Sequence, residues 1–270
     1  MRVFVINLPQ SEDRRVFQQQ QLERLNLPYQ VLDAVSVHDI SEDQYGKEAF
    51  GWQRPLKKVE LACFLSHVKA WNMVWNSNEP ALIIEDDAVL VEDIATLLHD
   101  IERQFLSLDP ELINLEVRSR KKILSKRPLF KLNNGYQLLS LFQERTGTGG
   151  YILFPAGARK LLDKAQSHPA ATADAFIFST YQLKAFQVEP AALIQEDQLE
   201  AYGLGGNKGF VSTIGRSEHF KPEYRSTADK IGFKSRRMIG QFKMAYRYLS
   251  VILKATKRYV ALDKAKFKIK

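Results

Sequence analysis

Val3-Phe4-Val5-Ile6-Asn7-Leu8, a helix-forming stretch from Ser11 to about Leu25, and Tyr29-Gln30-Val31-Leu32-Asp33 decide the fold. The first run is apolar up to Asn7, the pattern of a strand buried on both faces. Ser11 stands where an N-cap is needed, and Glu12 and Asp13 follow at the positive end of the helix dipole. Asn26 and Pro28 break the helix before the second strand. Strand, helix, strand is the opening of a doubly wound nucleotide-binding sheet. The expected class is α/β with a mostly parallel central sheet.

Outward from this unit, residues 38–58 are polar, contain Gly46, Gly51 and Pro55, and read as an irregular, mobile loop. Val59, Ala62, Cys63, Ser66, Ala70, Trp71 and Val74 share one face of a helix expected from Val59 to Trp75. Ala81-Leu82-Ile83-Ile84 reads as a short buried strand with Glu85-Asp86-Asp87 at its carboxyl end, where open α/β sheets gather their ligands. A helix over 91–105, a strand over 112–117 and a basic connection over 118–127 follow. Beyond them, Thr146-Gly147-Thr148-Gly149-Gly150 leads into a strand at Tyr151–Phe154 and a helix over 156–165. Asp174 precedes an apolar helical stretch, and Phe186-Gln187-Val188 is a late strand.

Three carboxylates in a row repel one another and need compensation. One reading is a solvated turn. The other is a site for Mn²⁺ or Mg²⁺, hard cations that take carboxylate oxygens. Alternate residues of an extended segment point to the same side, so Glu85 and Asp87 would share the ion while Asp86 points elsewhere. Such an ion would neutralise the diphosphate left when a nucleotide sugar gives up its sugar, and a further carboxylate would take the acceptor's proton. The glycines of 147–150 permit close backbone approach to a ligand or form a plain turn; no Gly-Lys-Ser/Thr follows, which excludes a P-loop. His67 reads from position as a core histidine, and Cys63 as a small core residue with no activating base. Arg14 and Arg15 are either a solvated face or diphosphate ligands. Glu196-Asp197 reads as an exposed turn, and His219 as a third metal ligand by fold analogy alone.

Four stretches together resemble glycosyltransferase family 25, the lipooligosaccharide β-1,4-galactosyltransferase-like enzymes, over roughly residues 1–200. They are Val5-Ile6-Asn7-Leu8 with Arg14-Arg15; Val59 to His67 with Trp71 behind it; Ile83-Ile84-Glu85-Asp86-Asp87; and Gly147-Thr148-Gly149-Gly150-Tyr151-Ile152. The resemblance implies a GT-A-like fold, a UDP-sugar donor such as UDP-galactose, a divalent metal and inversion at the anomeric carbon. Carried over by position, Glu85, Asp86 and Asp87 become the metal and diphosphate site. Asn7, Leu8 and Arg14 lie near the nucleotide, Ser66 and His67 face the donor pocket, and Thr148 and Gly149 line the sugar or acceptor side. The chain departs from the family's usual Pro-Val-Asp approach to a later aspartate, carrying Thr172-Ala173-Asp174 instead; Asp174 is the expected acceptor-side carboxylate. The rival classes are a non-catalytic nucleotide-sugar-binding protein and a metal-dependent phosphohydrolase.

Of 270 residues, 45% are hydrophobic, enough for a sizeable core. The net charge of +8 is uneven: residues 233–270 hold twelve Lys/Arg against Asp263, a net of +11, leaving −3 for residues 1–232. A basic tail on a mildly acidic body argues against a nucleic-acid partner. Residues 1–232 are accordingly expected to be the catalytic domain and 233–270 a tail. In the tail, Ile239, Phe242, Tyr246, Leu249 and Leu253 recur at helical spacing beside Lys243, Arg247, Lys254 and Arg258, a basic amphipathic helix suited to an anionic inner-membrane surface. The acceptor that suits such an enzyme is an oligosaccharide on lipid A-core. No leader or membrane span is legible, and the expected location is cytoplasmic, peripheral on the inner membrane.

Overall fold

The computed structural model describes residues 1–205 and 226–268, without the side chains of 104–108. In chain order the elements are β1 Arg2–Asn7, α1 Glu12–Arg24, β2 Tyr29–Asp33, α2 Glu42–Glu48, α3 Lys58–Ser77, β3 Ala81–Glu85 and β4 Ala88–Leu90. Then come α4 Ile94–Leu108, β5 Leu112–Asn114, β6 Glu116–Val117, β7 Lys122–Ser125, β8 Phe130–Lys131, β9 Gln137–Gln143 and β10 Gly150–Leu153. The last are α5 Pro155–Ser167, α6 Ala173–Phe178, β11 Ala185–Glu189, β12 Leu193–Gln195, α7 Thr227–Val251 and β13 Ala255–Arg258.

Ten strands form the main sheet in the order β13-β7-β9-β11-β5-β10-β3-β1-β2, with β8 on β9. At its centre β2, β1, β3, β5 and β11 run one way, and β10 is threaded antiparallel between β3 and β5. Side chains alternate between two cores, as the strand period requires. Val3, Val5, Leu82 and Ile84 face one core. Phe4, Ile6, Ala81 and Ile83 face the other, under α3 and α5. Burial on both faces explains why these strands read as unbroken apolar runs. The expected strand over 112–117 is interrupted: β5 belongs to the main sheet, whereas β6 pairs with β12 in a small sheet β4-β12-β6. That small sheet stands beyond the carboxyl end of β3 and walls the site.

Several expectations are corrected. Residues 38–58 are ordered by α2, whose first turn is capped by the Ser41 hydroxyl accepting from Gln44 N–H at 3.1 Å. Glu60 adds order there, accepting from the Lys57 N–H and pairing with Arg54 at 2.6 Å. Ser11 occupies the N-cap position of α1 without a side-chain cap bond. The basic connection contains β7, in which Lys122 is 1% exposed. The boundary expected at 232/233 does not separate the tail as a unit: β13 pairs with β7 at the sheet edge, and Val260 and Phe267 are buried in the main core. No helix among the described residues is long and apolar enough to cross a membrane.

Candidate active site

Glu85 ends β3, Asp86 and Asp87 form the turn into β4, and the three side chains part. Asp86 turns to the β1–α1 side, accepting from Asn7 Nδ2 at 2.9 Å and Arg14 Nη1 at 2.8 Å. Gln18, buried on α1, fixes this turn through the carbonyls of Asp86 and Ala88 at 3.1 and 2.7 Å. Glu85 and Asp87 face a cavity of about 380 Å³ and converge on one group: Gln195 Nε2 donates to Glu85 Oε2 at 3.0 Å and to Asp87 Oδ1 at 3.1 Å. Thr148 donates to Glu85 Oε1 at 3.3 Å. Arg14 also stands 4.0 Å from Asp87.

The pair is electrostatically unequal. Burial, then the charges of Glu85 and Asp86, push the Asp87 carboxyl up to about 7. Burial acts on Glu85 too, but His67, Arg118 and the Thr148 hydroxyl outweigh it and hold that carboxyl below its usual value. One carboxylate of a close pair ionises readily and the other resists. A further carboxyl, Asp174 at the start of α6, lines the same cavity and is raised by burial. Arg118 crosses the mouth, bonded to the Gln195 side-chain oxygen and paired with Asp197 at 2.7 Å.

The wall carrying Thr148 is held from below by a buried polar hub. Lys122 Nζ pairs with Glu144 at 2.7 Å and donates to Asn114 Oδ1, the Glu116 carbonyl and Gln187 Oε1 at 3.2, 2.9 and 2.7 Å. Those same residues hold the 146–149 turn. Glu144 Oε1 accepts from Thr146 N–H at 3.0 Å, Asn114 Nδ2 donates to the Gly147 carbonyl at 2.7 Å, and Glu116 Oε2 accepts from Gly149 N–H at 2.8 Å. Burial raises Glu116 to about 8, against the pull of Arg118 and Lys122. The glycines here accommodate protein rather than ligand: a Cβ on Gly149 would lie 2.6 Å from Gln195, and one on Gly150 2.0 Å from Leu193.

A more apolar cavity of about 180 Å³ adjoins the first, lined by Leu8, Arg14, the 34–38 segment, Ser66 and His67. It lies beyond the carboxyl ends of β1 and β3, and Cys63 and Glu85 line both cavities. Ser66 is buried and shapes the wall: its hydroxyl accepts from Val35 N–H and donates to the Ala62 carbonyl, each at 2.8 Å. His67 is fully buried, with Nδ1 2.9 Å from the Tyr151 hydroxyl and Nε2 3.5 Å from Glu85.

The structure thus gathers Glu85, Asp87, Thr148 and Asp174 around one cavity, and Leu8, Arg14, Ser66 and His67 around the other. Asn7 and Gly149 act on these walls from behind. Two readings change. Cys63 is a wall residue rather than a core one, and burial with nearby Glu85, Asp174 and Asp87 pushes its thiol well up, so it is no nucleophile. Glu196 is buried, whereas Asp197 is exposed at the rim of the cavity it lines, so only half of the pair fits the expected exposed turn. Gln195, Arg118, Glu116 and Lys122 belong to the site and were not singled out; only the neighbouring Glu196-Asp197 pair signalled this region. His219 lies outside the described residues.

The fold and site define an α/β enzyme with an acidic pair and two joined cavities at the carboxyl ends of parallel strands, the position of nucleotide ligands in such sheets. The model of the family described as glycosyltransferase family 25 (LPS biosynthesis protein) matches residues 1–177, and the chain belongs to that family. It is 26% identical over 264 residues to the lacto-N-neotetraose biosynthesis glycosyltransferase LgtE of Neisseria gonorrhoeae, covering 90% of each chain. It is 25% identical to the lipooligosaccharide biosynthesis protein lic2B of Haemophilus influenzae, over 73% of this chain and 76% of that one. It is 29% identical to procollagen galactosyltransferase 1-B of Xenopus laevis over 78% of this chain, spanning 37% of that protein's length.

Proposed function

We propose that the chain is an inverting hexosyltransferase that moves galactose from UDP-galactose onto an oligosaccharide acceptor of lipooligosaccharide or lipopolysaccharide, with Mn²⁺ or Mg²⁺ as cofactor. The observation that carries this reading is the convergence of Glu85 and Asp87 on one cavity wall while Asp86 is tied back. The donor set fits a hard divalent cation: two carboxylates face one point, and the elevated Asp87 marks negative charge without enough compensation. Glu85 and Asp87 would hold the ion, which when bound offsets the charge that develops on the departing diphosphate.

The remaining roles fall to the chain's own groups. The apolar cavity beside Leu8 suits the flat uracil, and Arg14 stands at its edge as a cation for diphosphate oxygens. Arg118 brings a second cation over the cavity mouth. Asp174 is the base: the acceptor oxygen bonds to the anomeric carbon, the bond from that carbon to the diphosphate breaks, and the hydroxyl proton passes to Asp174. Burial raises this carboxyl toward the working pH, which strengthens it as a base. One displacement inverts the anomeric centre.

A second observation bears on where the acceptor is met. α7 buries Phe233 and Val251 against the body and turns the opposite face outward: Phe242 is 70% exposed, Tyr246 76%, Leu249 64%, and Leu253 beyond its end 88%. Lys234 flanks this ridge on one side of the helix and Lys243 on the other. An apolar ridge between cationic flanks suits an anionic bilayer surface on the cytoplasmic side, where a lipid-borne acceptor would be presented.

The test is UDP release from a panel of UDP-sugars, with Mn²⁺, Mg²⁺ or EDTA, using lactose, glucose and N-acetylglucosamine glycosides as acceptors. The expected result is metal-dependent release from UDP-galactose, enhanced by one acceptor. Release of inorganic phosphate instead of UDP would identify a phosphohydrolase. Binding of UDP-galactose without any turnover would identify a non-catalytic binder.

A further inference from the structure

Cys63 and His67 stand one turn apart on α3 and project side by side toward the end of β3. There the thiol sulfur, an imidazole nitrogen and a Glu85 carboxylate oxygen lie within 4.8 Å of one another. His67 is 0% exposed, and its Nε2 makes no hydrogen bond although buried polar atoms almost always do. That nitrogen points at Glu85, 3.5 Å away, and so into the cluster. Behind the ring, Nδ1 meets the Tyr151 hydroxyl at 2.9 Å, which in turn accepts from Trp71 Nε1 at 2.8 Å. Such partners fix the orientation of a metal-ligating imidazole.

We propose that Cys63, His67 and Glu85 form a binding site for a borderline-soft divalent cation of the zinc class. Sulfur and imidazole ligands set this site apart from the all-oxygen pair Glu85–Asp87, because thiolate selects zinc-like ions over magnesium. Ligands bonded tetrahedrally at zinc distances stand about 3.3–3.8 Å apart, so closure asks for about one ångström of side-chain movement. The fourth position opens on the cavities that Cys63 and Glu85 line. On binding, the thiol gives its proton to solvent and its sulfur bonds the ion. Glu85 serves both sites, so zinc held here draws that carboxylate away from Asp87 and inhibits transfer; this consequence, unlike the binding, rests on the function proposed above.

Cys63 is the chain's only cysteine, which makes the test selective. Co²⁺ is titrated into the full-length protein and the thiolate-to-cobalt charge-transfer absorption is recorded. The band is expected in the wild type and in Asp87→Asn, is bleached by added Zn²⁺, and is missing from Cys63→Ala with an unchanged far-ultraviolet circular dichroism spectrum. Absence of the band in folded wild-type protein at large Co²⁺ excess overturns the site. In the UDP-release assay, the Zn²⁺ concentration that halves each protein's own zinc-free rate should rise about tenfold or more in Cys63→Ala. A band without such relief overturns the inhibitory role, and a band in a protein with no transferase activity leaves the site standing while removing the function proposed above.

Discussion

Replacing Asp87 by Asn should stabilise the metal-free protein while destroying its activity. In the folded chain, burial and the neighbouring Glu85 and Asp86 carry the Asp87 carboxyl from 3.8 to about 7. A carboxyl raised on folding favours the native state in its protonated form. That advantage is complete below the unfolded value and is lost as pH rises through the folded one. The displacement from 3.8 to about 7 corresponds to about 4 kcal/mol. At pH 8 the wild type bears this cost, and Asp87→Asn, which mimics the neutral acid, does not. Urea denaturation at pH 8 should therefore show Asp87→Asn more stable by up to about 4 kcal/mol, and at pH 5 the gap should shrink to under about 2 kcal/mol. Saturating Mn²⁺ should raise the wild type at pH 8, by about 2.7 kcal/mol at a hundredfold excess over Kd, and leave the variant unmoved. A variant no more stable than wild type at pH 8, or a gap equal at both pH values, would refute the assignment of uncompensated charge to Asp87.

Breaking the hub from one side, Lys122→Met should cost about 3–5 kcal/mol because Glu144 is left buried without its cation, whereas Lys122→Met with Glu144→Leu should recover most of that loss in thermal melts. Gly149→Ala puts a Cβ 2.6 Å from Gln195; the expected outcome is a destabilisation of about 1–3 kcal/mol and a lowered kcat, checked by denaturation and steady-state kinetics. Asp174→Asn should lower kcat by about 10²–10⁴ with little change in UDP affinity measured by calorimetry, and the acidic limb of the pH–rate profile should disappear with it. Phe242→Glu with Leu253→Glu should abolish sedimentation with phosphatidylglycerol vesicles and leave the melting temperature unchanged, since both side chains stand in solvent.

Legibility of this molecule in its sequence follows how far apart the cooperating residues lie. β1 and β3 are buried on both faces, so local composition alone declares them. The acidic triplet is legible because three adjacent carboxylates repel one another and call for a compensating partner, wherever in the fold that partner comes from. β7 is hidden because Lys122 sits in a run of Arg118, Arg120 and Lys121, and the carboxylate that neutralises it, Glu144, comes from the end of β9. Gln195 is a neutral amide, and nothing local marks it as the group that both Glu85 and Asp87 accept from.

The C-terminal segment shows a different limit. Helical spacing reports that α7 has an apolar stripe, but the same spacing serves a stripe turned inward or outward. Here Phe233, Arg236 and Val251 dock the helix, Arg236 through the Trp52 and Phe50 carbonyls at 2.6 and 3.2 Å, and the Phe242–Leu253 stripe is left to solvent. The charge count misleads in the same way. Arg258 reads as tail charge, yet it pairs with the buried Glu189 of β11 while its strand extends the sheet. Cutting the chain at 233 would therefore strip an edge strand and two core side chains, Val260 and Phe267, together with the solvent-exposed ridge. Loss of vesicle binding by that truncation would not distinguish a missing ridge from a damaged body. Substitutions confined to Phe242, Tyr246, Leu249 and Leu253 make the distinction, because the interior does not contact them enough to shield them from water.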